Sequence, residues 1–188
     1  MSRTTDFKKE EIIEKAMQVF WEKGYDQTSL KDLIDATGLL KGSLYNTFGS
    51  KEKLFLECLE YYGQFSRSRH YKDGDPVLYL KKFFKRLIEE GVDRDFRKGC
   101  LIMNSCLEFA NQENALAKKA QTLFAATELN LKNVAELACA QQNKNSEKLK
   151  TNLITAAFSI REISKFRKDK KFLTQIANRA LEDFGVQL

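Results

Sequence analysis

An all-helical fold follows from three features of the sequence. Apolar residues recur at intervals of three and four along most of the chain, no segment alternates as a half-buried strand does, and proline occurs once in 188 residues. The pattern suits about nine helices: an N-terminal three-helix domain containing a helix-turn-helix, then a C-terminal helical domain.

Ile12, Ala16, Val19 and Phe20 mark an amphipathic first helix from about Phe7, stopped by Gly24. Thr28 or Ser29 caps a second helix in which Leu30, Leu33 and Ile34 share a face, and Thr37-Gly38 breaks it after barely two turns. A third helix runs from about Lys41 to Phe48. Leu40, Leu44 and Phe48, four residues apart, are its whole apolar skeleton. Gly49-Ser50 ends it and caps a fourth helix carrying Leu54, Phe55, Cys58, Leu59 and Tyr62. The loop-like run Tyr71-Lys72-Asp73-Gly74-Asp75-Pro76 divides residues 1–50, with helix four (51–70) as a connector, from a second domain over 71–188. Pro76 opens the next helix, and apolar patterns follow at about 77–91, 100–110, 113–141, 147–165 and 170–184.

Composition excludes several classes. The N-terminus has no apolar signal-like core, and no window approaches the ~18 uncharged apolar residues of a membrane span. A cytoplasmic protein without a membrane partner is expected. Four cysteines without a C-x-x-C pair and one histidine supply no zinc set, so neither metal nor cofactor is expected. An enzyme on a helical scaffold is the competing class, but the chain offers no nucleophile–base–acid cluster and no phosphate loop. The formal charge is +6, yet residues 1–70 hold eleven basic and eleven acidic side chains, leaving 21 of the 32 basic and 15 of the 26 acidic residues for the remainder. A case for nucleic acid must therefore rest on placement rather than on net charge.

The third helix supplies that placement. At about eight residues it is too short to persist alone in water, so Leu40, Leu44 and Phe48 must dock onto helices one and two. Lys41, Gly42, Ser43, Tyr45, Asn46 and Thr47 then face outward, as on the second helix of a helix-turn-helix entering the major groove. Lys51 stands in the first turn of helix four, where a cation opposes the helix dipole and a phosphate would suit it.

Residues 7–65 resemble the DNA-binding domain of the TetR family of one-component transcriptional regulators. The motif G-x-x-x-G-[ST]-[LI]-Y-x-[HTY]-F-x-x-K is matched by Gly38, Gly42, Ser43, Leu44, Tyr45, Thr47, Phe48 and Lys51. The resemblance implies a phosphate contact at Tyr45, groove contacts at Lys41, Asn46 and Thr47, and DNA-backbone contacts at Thr28 and Lys51, with Ser29, Gly42 and Ser43 on the same surface. Thr47 stands where many members carry histidine or tyrosine, which leaves open the base it reads. A homodimer on a palindromic operator of double-stranded DNA is implied, joined through the last two helices. Leu153, Ala157, Ile160 and Ser164, with Leu173, Ile176, Ala177, Ala180, Leu181 and Phe184, form apolar stripes suited to close helix approach, although helices of a lone core would read similarly. A small-molecule effector is implied as well, and Phe65, Phe83, Phe109, Phe124 and Phe158 are candidates for lining its cavity or for plain core.

Arg97-Lys98-Gly99-Cys100 places a thiol in the first turn of a helix directly after two cations, a setting that favours thiolate. The run G-C-L-x-x-N, with Glu108 beyond it, is similar to a subgroup of the same family that includes regulators responding to electrophiles and oxidants. That similarity implies a redox-sensing role for Cys100 with Lys165 as a covalent partner; a buried structural thiol is the alternative. Lys165, Arg167, Lys168, Lys170 and Lys171 read as a solvated turn between the last two helices, and His70 as a helix-end residue.

Overall fold

A computed structural model describes residues 3–93, 98–142, 144 and 146–188, and side chains from residue 9 onward. Among these residues there are nine α-helices and no strand: α1 (Arg3–Lys23), α2 (Leu30–Thr37), α3 (Lys41–Phe48), α4 (Lys51–Ser68), α5 (Pro76–Val92), α6 (Leu101–Glu108), α7 (Ala115–Gln141), α8 (Glu147–Ile163) and α9 (Lys170–Leu181), with a 3-10 turn at Glu182–Phe184. No helix is long and apolar enough to cross a membrane, among the described residues.

Two compact units result. The first comprises residues 1–68 and 101–124, the second residues 69–100 and 125–188. The division is not a single cut near residue 71: α6 and the first ten residues of α7 fold with α1–α4.

In the first unit α1 packs along α4 and against α2, and α6 also lies on α4. Phe20 and Phe55 are 4.6 Å apart, with Tyr25 and Phe109 completing an aromatic cluster. Rings at such separations contribute beyond the area they bury. Gly24 ends α1 at φ 81°, a conformation that costs glycine little, and the chain turns there toward α2. The Glu108 carboxylate, at the end of α6, accepts the N–H groups of Tyr25 (3.0 Å) and Asp26 (2.8 Å). A Cβ at Gly24 would come within 3.3 Å of both carboxylate oxygens, so the glycine also makes room for this clamp. Buried Cys58 lies in the same unit, its thiol pushed upward in pKa by burial and donating to the Ile13 carbonyl.

The second unit buries Leu80, Phe84 and Leu87 of α5 against Leu131 and Val134 of α7, Leu153 and Ile160 of α8, and Leu173 and Leu181 of α9. Asp75 caps α5 ahead of Pro76, accepting the N–H groups of Val77 and Leu78. Glu90 of α5 receives Arg69 at 2.7 Å and Arg161 of α8 at 2.5 Å. A Cβ on Gly91 would sit 2.9 Å from the Cβ of Ser164, so α5 approaches the end of α8 only because this residue has no side chain.

Three expectations change here. The stripes Leu153, Ala157, Ile160, Leu173, Ala177, Ala180 and Leu181 are buried inside the second unit, where α8, α9 and α5 meet, so these side chains are core and not a free face. Cys100 precedes α6 by one residue instead of lying in its first turn, and Arg97 lies outside the described residues. The basic turn is partly structured: Asp169 caps α9 by accepting the Phe172 N–H, and the Arg167 guanidinium lies 3.6 Å over the Phe172 ring.

Glu108→Ala leaves two turn N–H groups without their acceptor. The variant is expected to lose about 1–2 kcal/mol of unfolding free energy in urea titration, with Glu108→Gln losing less because an amide oxygen still accepts.

Candidate nucleic-acid interface

The surface is built from α2 outward. Ser29 caps α2: its hydroxyl accepts the Asp32 N–H at 3.1 Å while the Asp32 carboxylate accepts the Ser29 N–H at 2.9 Å, a reciprocal capping box. Lys23 reaches Asp32 at 2.6 Å. That ammonium, and then the Ser29 backbone and hydroxyl, hold the Asp32 carboxyl down to about 2. Thr28 is different. It is 1% exposed, its hydroxyl donates to the Gly24 carbonyl at 2.5 Å and its N–H to Tyr25, so both of its donors face the turn. Of the two candidate caps the structure uses Ser29, and Thr28 is a turn residue.

Gly38, at φ 71°, stops α2 by donating to Ile34, and Thr37 closes the corner by donating to Leu33 and accepting the Leu39 N–H. The chain then enters α3, whose Leu44 and Phe48 are buried against α2 and α4. Leu40 is not buried with them: it is 76% exposed. It occupies the cap position with ψ 154°, before the helical register begins, so the four-residue spacing does not carry its side chain onto the Leu44–Phe48 row. Gly49 then ends α3, and Ser50 accepts the Lys53 N–H at the start of α4.

With Leu44 and Phe48 inward, Lys41, Gly42, Ser43, Tyr45, Asn46 and Thr47 are exposed together. Thr47 donates its hydroxyl proton to the Ser43 carbonyl at 2.8 Å, which leaves the oxygen lone pairs and the methyl group to meet a partner. A Cβ at Gly42 would meet nothing within 4 Å. Glycine is therefore not required there by the fold, although in a helix it costs roughly 1 kcal/mol relative to alanine. Lys51 is half-buried, with its ammonium 4.4 Å from the centroid of the Tyr25 ring. This cation–π contact fixes where the charge stands. Burial raises the Tyr25 pKa, reinforced by Glu52, Asp26 and Glu108. No spacing rule links residues 25 and 51, so the pairing had no signal in the sequence.

Of the phenylalanines named for a cavity, Phe65, Phe109 and Phe124 belong to the first unit and Phe83 and Phe158 to the second. Phe109 is core of the first unit, within the Tyr25–Phe55 cluster, whereas Phe65 is about half exposed there and Phe124 partly buried. Phe83 and Phe158 belong to the second unit, and Phe83 packs on Tyr79, Phe84 and the Arg86 guanidinium. A surface cleft lined by Lys9, Glu57 and Tyr61 and another lined by Asn178, Arg179 and Val186 contain none of these rings. Cys100 is a half-buried thiol, and the end of the Lys165 side chain lies across the preceding Gly99, 2.2 Å from where a Cβ would stand. Lys165 also pairs with Glu162. No group of three or more His, Cys, Asp or Glu side chains capable of holding a metal occurs among the described residues.

Residues 12–58 match the family model described as bacterial regulatory proteins, tetR family. The HTH-type transcriptional repressor ComR of Escherichia coli is 28% identical over 141 residues, 72% of this chain and 66% of that protein, and a Bacillus subtilis HTH-type transcriptional regulator is 31% identical over 63% of each chain. The chain thus spans less than two thirds of the length of these relatives. Among solved structures, a TetR transcriptional regulator from Chloroflexus aurantiacus superposes with a TM-score of 0.83 over 98% of both chains at 19% identity. The TetR family regulator CifR, solved with a 26-base-pair operator DNA, gives 0.72 over 91% of this chain and 94% of its own at 24% identity. Residues 12–58 thus match the tetR family of bacterial regulatory proteins, and the chain as a whole shares the fold of solved TetR regulators.

Proposed function

We propose that the protein is a sequence-specific DNA-binding transcriptional regulator of the cytoplasm, acting as a repressor and binding a palindromic operator as a homodimer. The observation that carries this reading is the front of α3: six exposed positions out of eight on a helix too short to exist for its own sake, one of them a glycine that the fold does not require. Lys41, Ser43, Asn46 and Thr47 supply groove contacts, Tyr45 and Lys51 meet phosphates, and Ser29 flanks them at the start of α2; Thr28, turned inward, is left out. Gly42 admits the DNA backbone. One such helix reads few base pairs, so two copies about 34 Å apart are needed for an operator, which is the mechanical reason for a two-fold dimer. The names of the relatives support the same class of function.

Release follows when a small-molecule effector, or modification of Cys100 with Lys165 as its neighbour, shifts α4 and with it the spacing of the two α3 helices. A coupling of about 1–3 kcal/mol changes operator affinity roughly 5- to 150-fold. Support for the thiol branch is the Lys165 side chain lying over Gly99, immediately before Cys100.

DNA fragments selected by the protein from its own genome provide the test. On such a fragment, Tyr45→Ala and Lys51→Ala are expected each to lower the salt slope by up to about one phosphate contact, weakening binding to all sequences alike. Unchanged slopes for both contradict the assignment. Gly42→Ala separates folding from function: thermal unfolding is expected to rise, by roughly 0.5–1 kcal/mol, while DNA affinity falls. A variant that is more stable and binds equally well removes Gly42 from the interface.

A further inference from the structure

Leu40 has no role in the fold that the structure reveals. It is 76% exposed, and as the cap residue of α3 it donates no side-chain hydrogen bond to the helix and accepts none. The corresponding positions of α2, α5 and α9 are Ser29, Asp75 and Asp169, each accepting helix N–H groups. A leucine there forgoes that stabilisation and sets an apolar side chain in water. Single exposed leucines are ordinary on protein surfaces, and Leu107 and Leu129 are others on this one. Leu40 differs in its neighbours, because it directly precedes Lys41 and Gly42 on the face assigned above to DNA.

On that assignment, on which the inference rests, the first residues of α3 meet base edges in the major groove. A leucine has no donor or acceptor to offer there. The apolar group on the major-groove edge of the bases is the C5-methyl of thymine, which proteins read by apolar contact. We propose that Leu40 is a specificity residue that packs on a thymine methyl, once in each half-site of the operator. It adds sequence information that the polar residues of α3 do not carry, and its contribution is insensitive to salt, unlike that of Tyr45 and Lys51.

Replacing thymine by deoxyuridine removes only the methyl group and leaves pairing intact. Each thymine of a selected operator is replaced in turn, and binding of the wild-type protein and of Leu40→Ala is measured. For wild type, one thymine in each half-site is expected to lose about fourfold in affinity when its methyl is removed, the worth of one buried methyl-sized group, and replacing both costs about 15-fold. Leu40→Ala is expected to bind the unmodified operator more weakly and to be indifferent to deoxyuridine at those positions, while keeping its sensitivity to every other substitution. As the side chain is exposed, thermal unfolding of the variant is expected to match wild type. Sequence-selective binding in which no thymine distinguishes wild type from Leu40→Ala overturns the role of Leu40 alone. Failure of the wild-type protein to select any DNA overturns the DNA-binding reading and this inference with it.

Discussion

The burial of Leu44 and Phe48 is the constraint on which the rest of the candidate interface depends. An eight-residue helix is about 12 Å long and closes few internal hydrogen bonds, so its direction is set by what it packs against. Two side chains on one row, docked onto α2 and α4, fix both the axis of α3 and its rotation. Every exposed group on the opposite face takes its position from them. The caps at either end act on the same helix: Gly38 and Thr37 set the corner before it, and Gly49 and Ser50 the corner after.

The first unit extends further along the chain than a helix-turn-helix requires. Glu108, at the far end of α6, holds the two N–H groups of the α1–α2 turn, and Gly24 leaves space for it. Glu60 of α4 is similarly shared between Arg67 and Lys119 of α7, and both cations lower its pKa, Lys119 more strongly. The chain therefore leaves this unit after Ser68 and re-enters it at Leu101, with Cys100 as the last residue before re-entry. Glu108 thus ties the end of α6 to the turn that precedes α2.

Local chemistry was legible in the sequence. Helix periods, the glycine stops at 24, 38 and 49, the Ser29 cap and Pro76 opening α5 all follow from neighbours within four residues. Contacts between distant residues were not legible. Nothing in spacing links Glu108 to residues 25 and 26 or Lys51 to the Tyr25 ring, because those pairs exist only after α1, α4 and α6 have packed. Leu40 was misplaced because a four-residue spacing was extended across a helix boundary, where the backbone is extended and the period does not hold. The α8 and α9 stripes show a further limit: periodicity reveals that a face is buried, and not whether α5 or a second chain buries it.

Amide hydrogen exchange, with and without selected operator DNA, tests most directly whether the front of α3 faces nucleic acid. Protection on binding is expected to concentrate in residues 40–51, with the start of α2 as the other protected segment of the first unit. Unchanged exchange through 40–51, with protection appearing elsewhere, would contradict the account.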